Sequence, residues 1–334
     1  MREALTIIYC FVGWVVGAQP TPPGTVAAAA KTSVHDPVMI QQGKTFYLFS
    51  TGTGISVHSS TDLENWTKLK PVFERPPGWA LQTVPGYKGH TWAPDISYHK
   101  NRYYLYYSVS AFGKKTSCIG LAANKTLDPT APEYKWEDHG KVIQSVPGRD
   151  MWNAIDPNLV VDENNTAWLT FGSFWNGLKL VRLDTTFGAI QEPQEWYTVA
   201  SRPRRAAFAD SAGGNAAIEA PFIFRKNDYY YLFVSRDYCC RGEKSNYKVV
   251  VGRCKKIIGP YIDKAGLPMN KDGGSLLVQG DGQQWFGVGH NAVYNFNGQD
   301  FFVCHGYDAK DKGRSRLIIR KLAWDNDGWP MVAL

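Results

Sequence analysis

A chain of 334 residues is long enough for one large domain or two ordinary ones. Its 14% aromatic residues, 32 glycines and only 20% charged residues favour a β-rich globular protein and argue against a helical bundle or a disordered chain. The formal charge of +7 is scattered, apart from short clusters such as Arg202-Pro203-Arg204-Arg205, which favours a solvated basic surface, suited also to an anionic polysaccharide matrix, over a nucleic-acid site.

The chain opens as a secretory signal does. Arg2 supplies a positive start, and Leu5 to Val16 form an apolar stretch too short to span a bilayer comfortably. Val16-Gly17-Ala18 offers small residues for cleavage, so 1–18 reads as the signal and 19–32 as an N-terminal extension; an N-terminal membrane anchor is the alternative. No later segment is apolar enough to span a membrane, and a secreted monomer without membrane or nucleic-acid partners is expected. Three glycosylation sequons agree with a secretory route: Asn65-Trp66-Thr67, Asn124-Lys125-Thr126 and Asn164-Asn165-Thr166. Beyond Cys10, the cysteines are Cys118, Cys239, Cys240, Cys254 and Cys304, an odd count that leaves at least one unpaired or bonded to another chain. Cys239 and Cys240 could close only a strained vicinal ring, and a Cys254–Cys304 bridge is possible. There is no CxxC, which argues against structural zinc.

From residue 33 onward the chain repeats. Runs starting at 35, 92, 155, 219 and 290 read HDPVMI, WAPDIS, IDPNLV, EAPFIF and HNAVYN. After each comes a polar turn and an aromatic run: TFYLFS, RYYLYYS, TAWLTFGS, YYYLFVS and DFFVCHG. Apolar strand, Asn/Gly-rich turn, aromatic strand is a hairpin signature. Third strands follow at Ile55–His58, Cys118–Ala122 and Tyr247–Val251, and Trp66, Trp136 and Trp196 mark fourth strands. Five units of about four strands predict an all-β, five-bladed β-propeller over 33–334, one domain, with a β-sandwich or β-helix as the alternative. If the first strand of each unit is innermost, Asp36, Trp92, Asp156, Glu219 and His290 point into one central funnel.

Three carboxylates in one funnel cannot all ionise freely, because like charges raise at least one pKa. One neutral acid and one carboxylate base are what glycoside hydrolysis needs, and a third carboxylate can tune the acid. Asp36, Asp156 and Glu219 are therefore the candidate catalytic residues. His290 reads either as a histidine that orients a neighbour through hydrogen bonds or as an ion ligand.

The segments HDPVMI, SSTDLENWT, HTWAPDISYHKNRYYLYYSVSAFG, IDPNLVVDENNTAWLTFGSFWNG, IEAPFIF, YLFVSRDYCCRG and GHNAV, taken together and in order, resemble glycoside hydrolase family 43, and within it the secreted endo-α-1,5-L-arabinanases of fungal type. The resemblance runs from about residue 33 to the C-terminus. It implies an inverting enzyme acting on linear arabinan, a side chain of pectin. Asp36 would activate water, Glu219 would protonate the departing sugar oxygen, and Asp156 would raise the pKa of Glu219 and orient it. It also implies a calcium ion, mostly water-coordinated, around His290, acting on the electrostatics of the carboxylates. Trp92, Gly113, Asn153, Ser173, Phe174 and Trp175 match substrate-binding positions, although tryptophans in propellers often pack between blades. Exo-acting arabinofuranosidases or β-xylosidases of the same family are the alternative, and a non-catalytic sugar-binding propeller a third.

Overall fold

The computed structural model describes residues 31–334, so the expected signal and most of the extension lie outside the described residues. The chain forms a five-bladed β-propeller. Blade one contains β1 (Val38–Gln42), β2 (Thr45–Ser50), β3 (Gly52–Thr53), β4 (Ser56–Ser60) and β5 (Thr67–Lys68); β3 pairs across to the next blade, and the other four form one antiparallel sheet. After a six-residue helix, α1 (Gly78–Thr83), blade two runs through β6 (His90–His99), β7 (Arg102–Val109), β8 (Cys118–Asn124) and β9 (Glu137–Gln144). Blade three holds β10 (Asn158–Val161), β11 (Ala167–Phe171), β12 (Leu178–Arg182) and β13 (Trp196–Ala200). Blade four holds β14 (Ile218–Lys226), β15 (Tyr229–Arg236), β16 (Lys248–Cys254) and β17 (Ser275–Gln279), and blade five β18 (Trp285–Phe296), β19 (Gln299–Asp308) and β20 (Arg314–Lys321). A short hairpin, β21 (Ala323–Trp324) with β22 (Pro330–Met331), follows.

The first strands β1, β6, β10, β14 and β18 contact one another in order, and β18 returns to β1, which makes them the inner wall. The ring is also tied at its outer edge, where the amide of Leu317 in β20 donates to the carbonyl of Thr32 at 2.9 Å.

The aromatic runs owe their continuity to burial on both faces. Side chains alternate across a strand, so neighbouring residues meet different blades. In β2, Phe46 and Leu48 join Val303, Leu317 and Ile319 of blade five, while Tyr47 and Phe49 join Leu105 and Tyr107 of blade two. In β15, Leu232 and Val234 meet Leu178 and Leu180 of blade three, and Phe233 packs with Phe302 and Ile318 of blade five. The core is therefore a set of inter-blade layers, and Trp66, Trp136 and Trp196 stand at the start of outer strands as expected.

Polar groups stitch the inner wall as well. Asp95 in β6 accepts from the amide of Leu159 (2.8 Å) and the side-chain amide of Asn158 (3.2 Å), and Asn158 in turn accepts from the amide of Ile223 (2.9 Å). Burial pushes the Asp95 carboxyl up to about 7 against the pull of those donors. An unfolded aspartate titrates near 3.9, so this group favours the folded state most at low pH and loses that contribution as pH rises through 7. Replacing Asp95 with asparagine puts an N–H₂ against fixed donors and will cost about 1–3 kcal/mol. The gap in thermal stability between wild type and Asp95→Asn will widen as pH falls from 8 to 5; parallel pH profiles would refute the assignment.

Cys239 and Cys240 are disulfide-bonded to each other, while Cys118, Cys254 and Cys304 are free; the Cys254–Cys304 bridge does not form. Of the sequons, Asn65 and Asn164 are exposed. Asn124 is 2% exposed, and its Oδ1 accepts from the amides of Thr126 and Lys135. Expressed in a glycosylating host, the folded protein will carry glycans at Asn65 and Asn164 only, and peptide mapping that found a glycan on Asn124 of active protein would contradict this.

Candidate active site

The acidic residues gather where the inner strands begin, and a backbone device places them. In each blade one residue near that point takes the left-handed conformation: Asp36 (φ 54°), Ala93 (40°), Asp156 (58°), Ala220 (52°) and His290 (51°). Non-glycine residues adopt it only when their surroundings hold them there. Here the amide of each is held by a neighbour. Ala93 donates to Thr51 Oγ1 (2.8 Å), Asp156 to Ser108 Oγ (3.0 Å), His290 to Ser235 Oγ (2.8 Å) and Asp36 to His305 Nδ1 (3.1 Å). These acceptors lie at or near the end of the second strand of the preceding blade. In blade three that strand ends at Phe171 and is followed by Gly172, which has no side chain, and the Ala220 amide donates instead to Asp156 Oδ2 (3.1 Å).

The five expected residues are therefore not five equivalent positions. Asp36, Asp156 and His290 occupy the left-handed position itself, while Trp92 and Glu219 precede it by one residue. Pairing slips after both, between Trp92 and Asp95 and between Glu219 and Phe222. Such bulges re-aim side chains, and the one in β14 brings Glu219 to the same centre as the two aspartates.

Asp36 is held by three donors: Thr51 Oγ1 on Oδ2 at 2.5 Å, and His35 Nδ1 (2.8 Å) and His290 Nδ1 (3.0 Å) on Oδ1. Burial alone would raise its pKa, but the two histidines outweigh it and hold the carboxyl well below the usual range. Asp156 goes the other way. Burial first, then the negative charges of Glu219 and Asp36, push it well above the usual range, despite His290 and the Ala220 amide. His290 is raised to about 9, because Asp36, Asp156 and Glu219 together overcome the opposing effect of burial. Glu219 receives Tyr247 Oη–H on Oε1 (2.9 Å) and meets Ser173 Oγ at Oε2 (2.7 Å). Burial and the neighbouring carboxylates keep the Tyr247 phenol protonated, so it donates throughout. The Ser173 hydroxyl can rotate to donate or accept, and so accommodates either protonation state of Glu219. One carboxylate kept ionised and, beside it, a carboxyl whose pKa is raised can carry out acid–base chemistry on a single bond.

The expected substrate residues divide. Ser173 touches Glu219 directly. Trp92 is half-buried on β6, its indole donating to His90 Nδ1 at 3.0 Å, and its neighbour Ala93 shares Thr51 with Asp36. Gly113 is exposed at φ 73° in the loop after β7, next to Phe112, which is 80% exposed. Asn153 is buried beside Ser145. Phe174 lies against Gly213 and near Tyr238. Trp175 differs from expectation. It is 4% exposed, donates to the Asp210 carbonyl at 2.9 Å and lies under the Lys115 ammonium, so it anchors the loop after β13 and has little open ring face for a sugar.

Sequence reasoning missed Thr51, Tyr247, His35, His305 and Tyr307. Tyr247 and His305 sit in apolar runs that read as strand core, and His35 reads in the sequence only as the neighbour of Asp36. A cavity of about 490 Å³ lies away from this centre, further along the inner strands, lined by Asp95, Asn158, Phe224, Arg225, Tyr294 and Asn297.

For an ion around His290, the donor set decides the fit. Neither set of three candidate ligands among the described residues, His35–Cys239–Cys240 or His35–Asp36–His305, includes His290. Its Nδ1 is taken by Asp36, and its Nε2 has no protein hydrogen bond among the described residues. Calcium normally takes oxygen ligands, so what fits is a hydrated ion bound through one imidazole, for which a proton on Nε2 is the alternative.

Comparison with known proteins accords with this geometry. The model of the family "Glycosyl hydrolases family 43" matches residues 29–330. The chain is 52% identical to an extracellular exo-α-(1→5)-L-arabinofuranosidase of Cellvibrio japonicus, over 91% of this chain and 87% of that one. It is 42% identical to an extracellular endo-α-(1→5)-L-arabinanase of Bacillus subtilis, over 90% and 88%. Among solved structures, a Cellvibrio cellulosa α-L-arabinanase complexed with arabinohexaose superposes with a TM-score of 0.89 at 52% identity, covering 90% of this chain and 96% of that one. A probable arabinan endo-1,5-α-L-arabinosidase A of the fungus Aspergillus clavatus is 33% identical over 98% of this chain and 98% of that one, so the similarity to the expected fungal type is lower than to the two relatives above.

Proposed function

Because the chain belongs to the glycosyl hydrolases family 43, we propose that it is a secreted enzyme that hydrolyses α-1,5-linked arabinan with inversion. The observation that carries this reading is the unequal environment of its carboxyls: Asp36 is held by three donors well below the usual range, while burial and neighbouring negative charge push Asp156, which binds the amide of the residue after Glu219, well above it. Asp36 takes a proton from the attacking water while Glu219 delivers one to the departing sugar oxygen. Asp156 fixes the backbone beside Glu219 through the Ala220 amide. Trp92, Gly113, Asn153, Ser173 and Phe174 would contact the sugar chain. Tyr247 and Ser173 orient Glu219. A calcium ion held through His290 would, when bound, add positive charge beside the carboxylates. Secretion is supported by the N-terminal signal pattern and by the extracellular naming of the first two relatives.

Two modes of attack remain. Internal cleavage is what the sequence pattern suggests. Release of short products from chain ends is favoured by the higher identity to the exo-acting relative, 52% against 42%. A time course on linear arabinan separates them: early mixed oligomers indicate internal attack, a single short product from the outset indicates chain-end attack, and binding without cleavage would sink the enzyme reading altogether.

A further inference from the structure

We propose that Tyr307 is a positioning residue that sets where His35 carries its proton and thereby orients the base, an inference that rests on Asp36 being that base. Tyr307 is 3% exposed, and its hydroxyl meets the amide of Cys240 (2.7 Å), His305 Nε2 (3.2 Å) and His35 Nε2 (2.8 Å) at close range, with the Ser245 side chain beside them. The proton positions follow in turn. The backbone amide of Asp36 can only donate, so His305 Nδ1 accepts and carries no proton. Neutral His305 then has its proton on Nε2 and donates it to Tyr307. The Cys240 amide, also an obligate donor, takes the second lone pair of the phenol oxygen. The phenol's own proton is left for His35 Nε2. With Nε2 accepting, His35 bears its proton on Nδ1, 2.8 Å from Asp36 Oδ1.

Counting lone pairs shows what this does. An ionised carboxylate offers about four acceptor sites. His35 and His290 take both on Oδ1, and the Thr51 hydroxyl, whose oxygen already accepts from Ala93, takes one on Oδ2. The remaining site is on Oδ2, and that is the atom that receives the proton from water. The disulfide-bonded pair Cys239–Cys240 enters the site here, through the amide that occupies a lone pair of the Tyr307 oxygen.

Removing the phenol hydroxyl frees His35 to hold its proton on Nε2, which turns a lone pair on Nδ1 toward Asp36 Oδ1 and repels it. Tyr307→Phe will lower kcat on linear arabinan roughly 10–100-fold with KM within about twofold, as loss of an orienting partner does. His35→Asn places an amide N–H near the position of the imidazole Nδ1–H and has no tautomer to set. It will lower kcat by itself, and adding Tyr307→Phe to it will cost less than about threefold more, since coupled residues are not additive. Losses that multiply in the double variant, or wild-type kcat in Tyr307→Phe, overturn the inference; thermal melts of each variant verify folding. An active Asp36→Ala enzyme overturns the base assignment instead, whatever Tyr307→Phe does.

Discussion

Glu219→Ala will lower kcat on linear arabinan by roughly 10²–10⁴-fold, the range over which a positioned acid acts, equivalent to about 3–5 kcal/mol of transition-state stabilisation. The side chain lost accepts from Tyr247 and meets Ser173, both buried, so a thermal melt of the variant accompanies the kinetics. The diagnostic is leaving-group dependence. An arabino-oligosaccharide carrying an activated aryl leaving group needs little protonation, and on it the variant will lose far less than on the polysaccharide. Equal losses on both substrates would show that Glu219 is not the acid. Sugar binding, measured by titration calorimetry, should change little, which separates this outcome from collapse of the cleft.

The second large effect is expected at Asp36. Asp36→Ala removes the acceptor of Thr51, His35 and His290 and will lower kcat by roughly 10³–10⁴-fold on the natural and the activated substrate alike, because leaving-group chemistry cannot replace a base. Added azide attacks carbon without needing a base, so it should restore part of the rate and appear as a glycosyl azide of inverted configuration, while Glu219 still protonates the departing oxygen. Full activity in Asp36→Ala, or azide product of retained configuration, would remove the inverting assignment. The pair of experiments assigns the two roles separately: Glu219 by leaving-group sensitivity, Asp36 by its absence.

Much of this was legible in the chain itself. Strands buried on both faces must be apolar throughout, and the inner strands must start and turn alike, so the HDP, WAP, IDP, EAP and HNA runs with their aromatic partners reveal five blades. Asp36, Asp156, Glu219 and His290 stand out because each interrupts an apolar register with a titratable group. Their one-residue offsets were not legible. Trp92 and Glu219 precede the left-handed position that Asp36, Asp156 and His290 occupy, and the bulges there, like the one that spans His290 in β18, depend on pairing with another strand. Trp175 shows the same limit, since a tryptophan beside a site residue and one that anchors a loop under Lys115 have the same local sequence.

The sequence by itself determined the repeat, the β-propeller and the residue types offered to the centre, because these follow from alternation, turn chemistry and composition that act over a few residues. Only the tertiary structure decided the partners: the amide of Asp36 on His305, 269 positions away, and His35 on Tyr307, 272 away. Those contacts exist because closing the ring brings blade five against blade one, and it is from them that each carboxyl acquires its charge and its free lone pair.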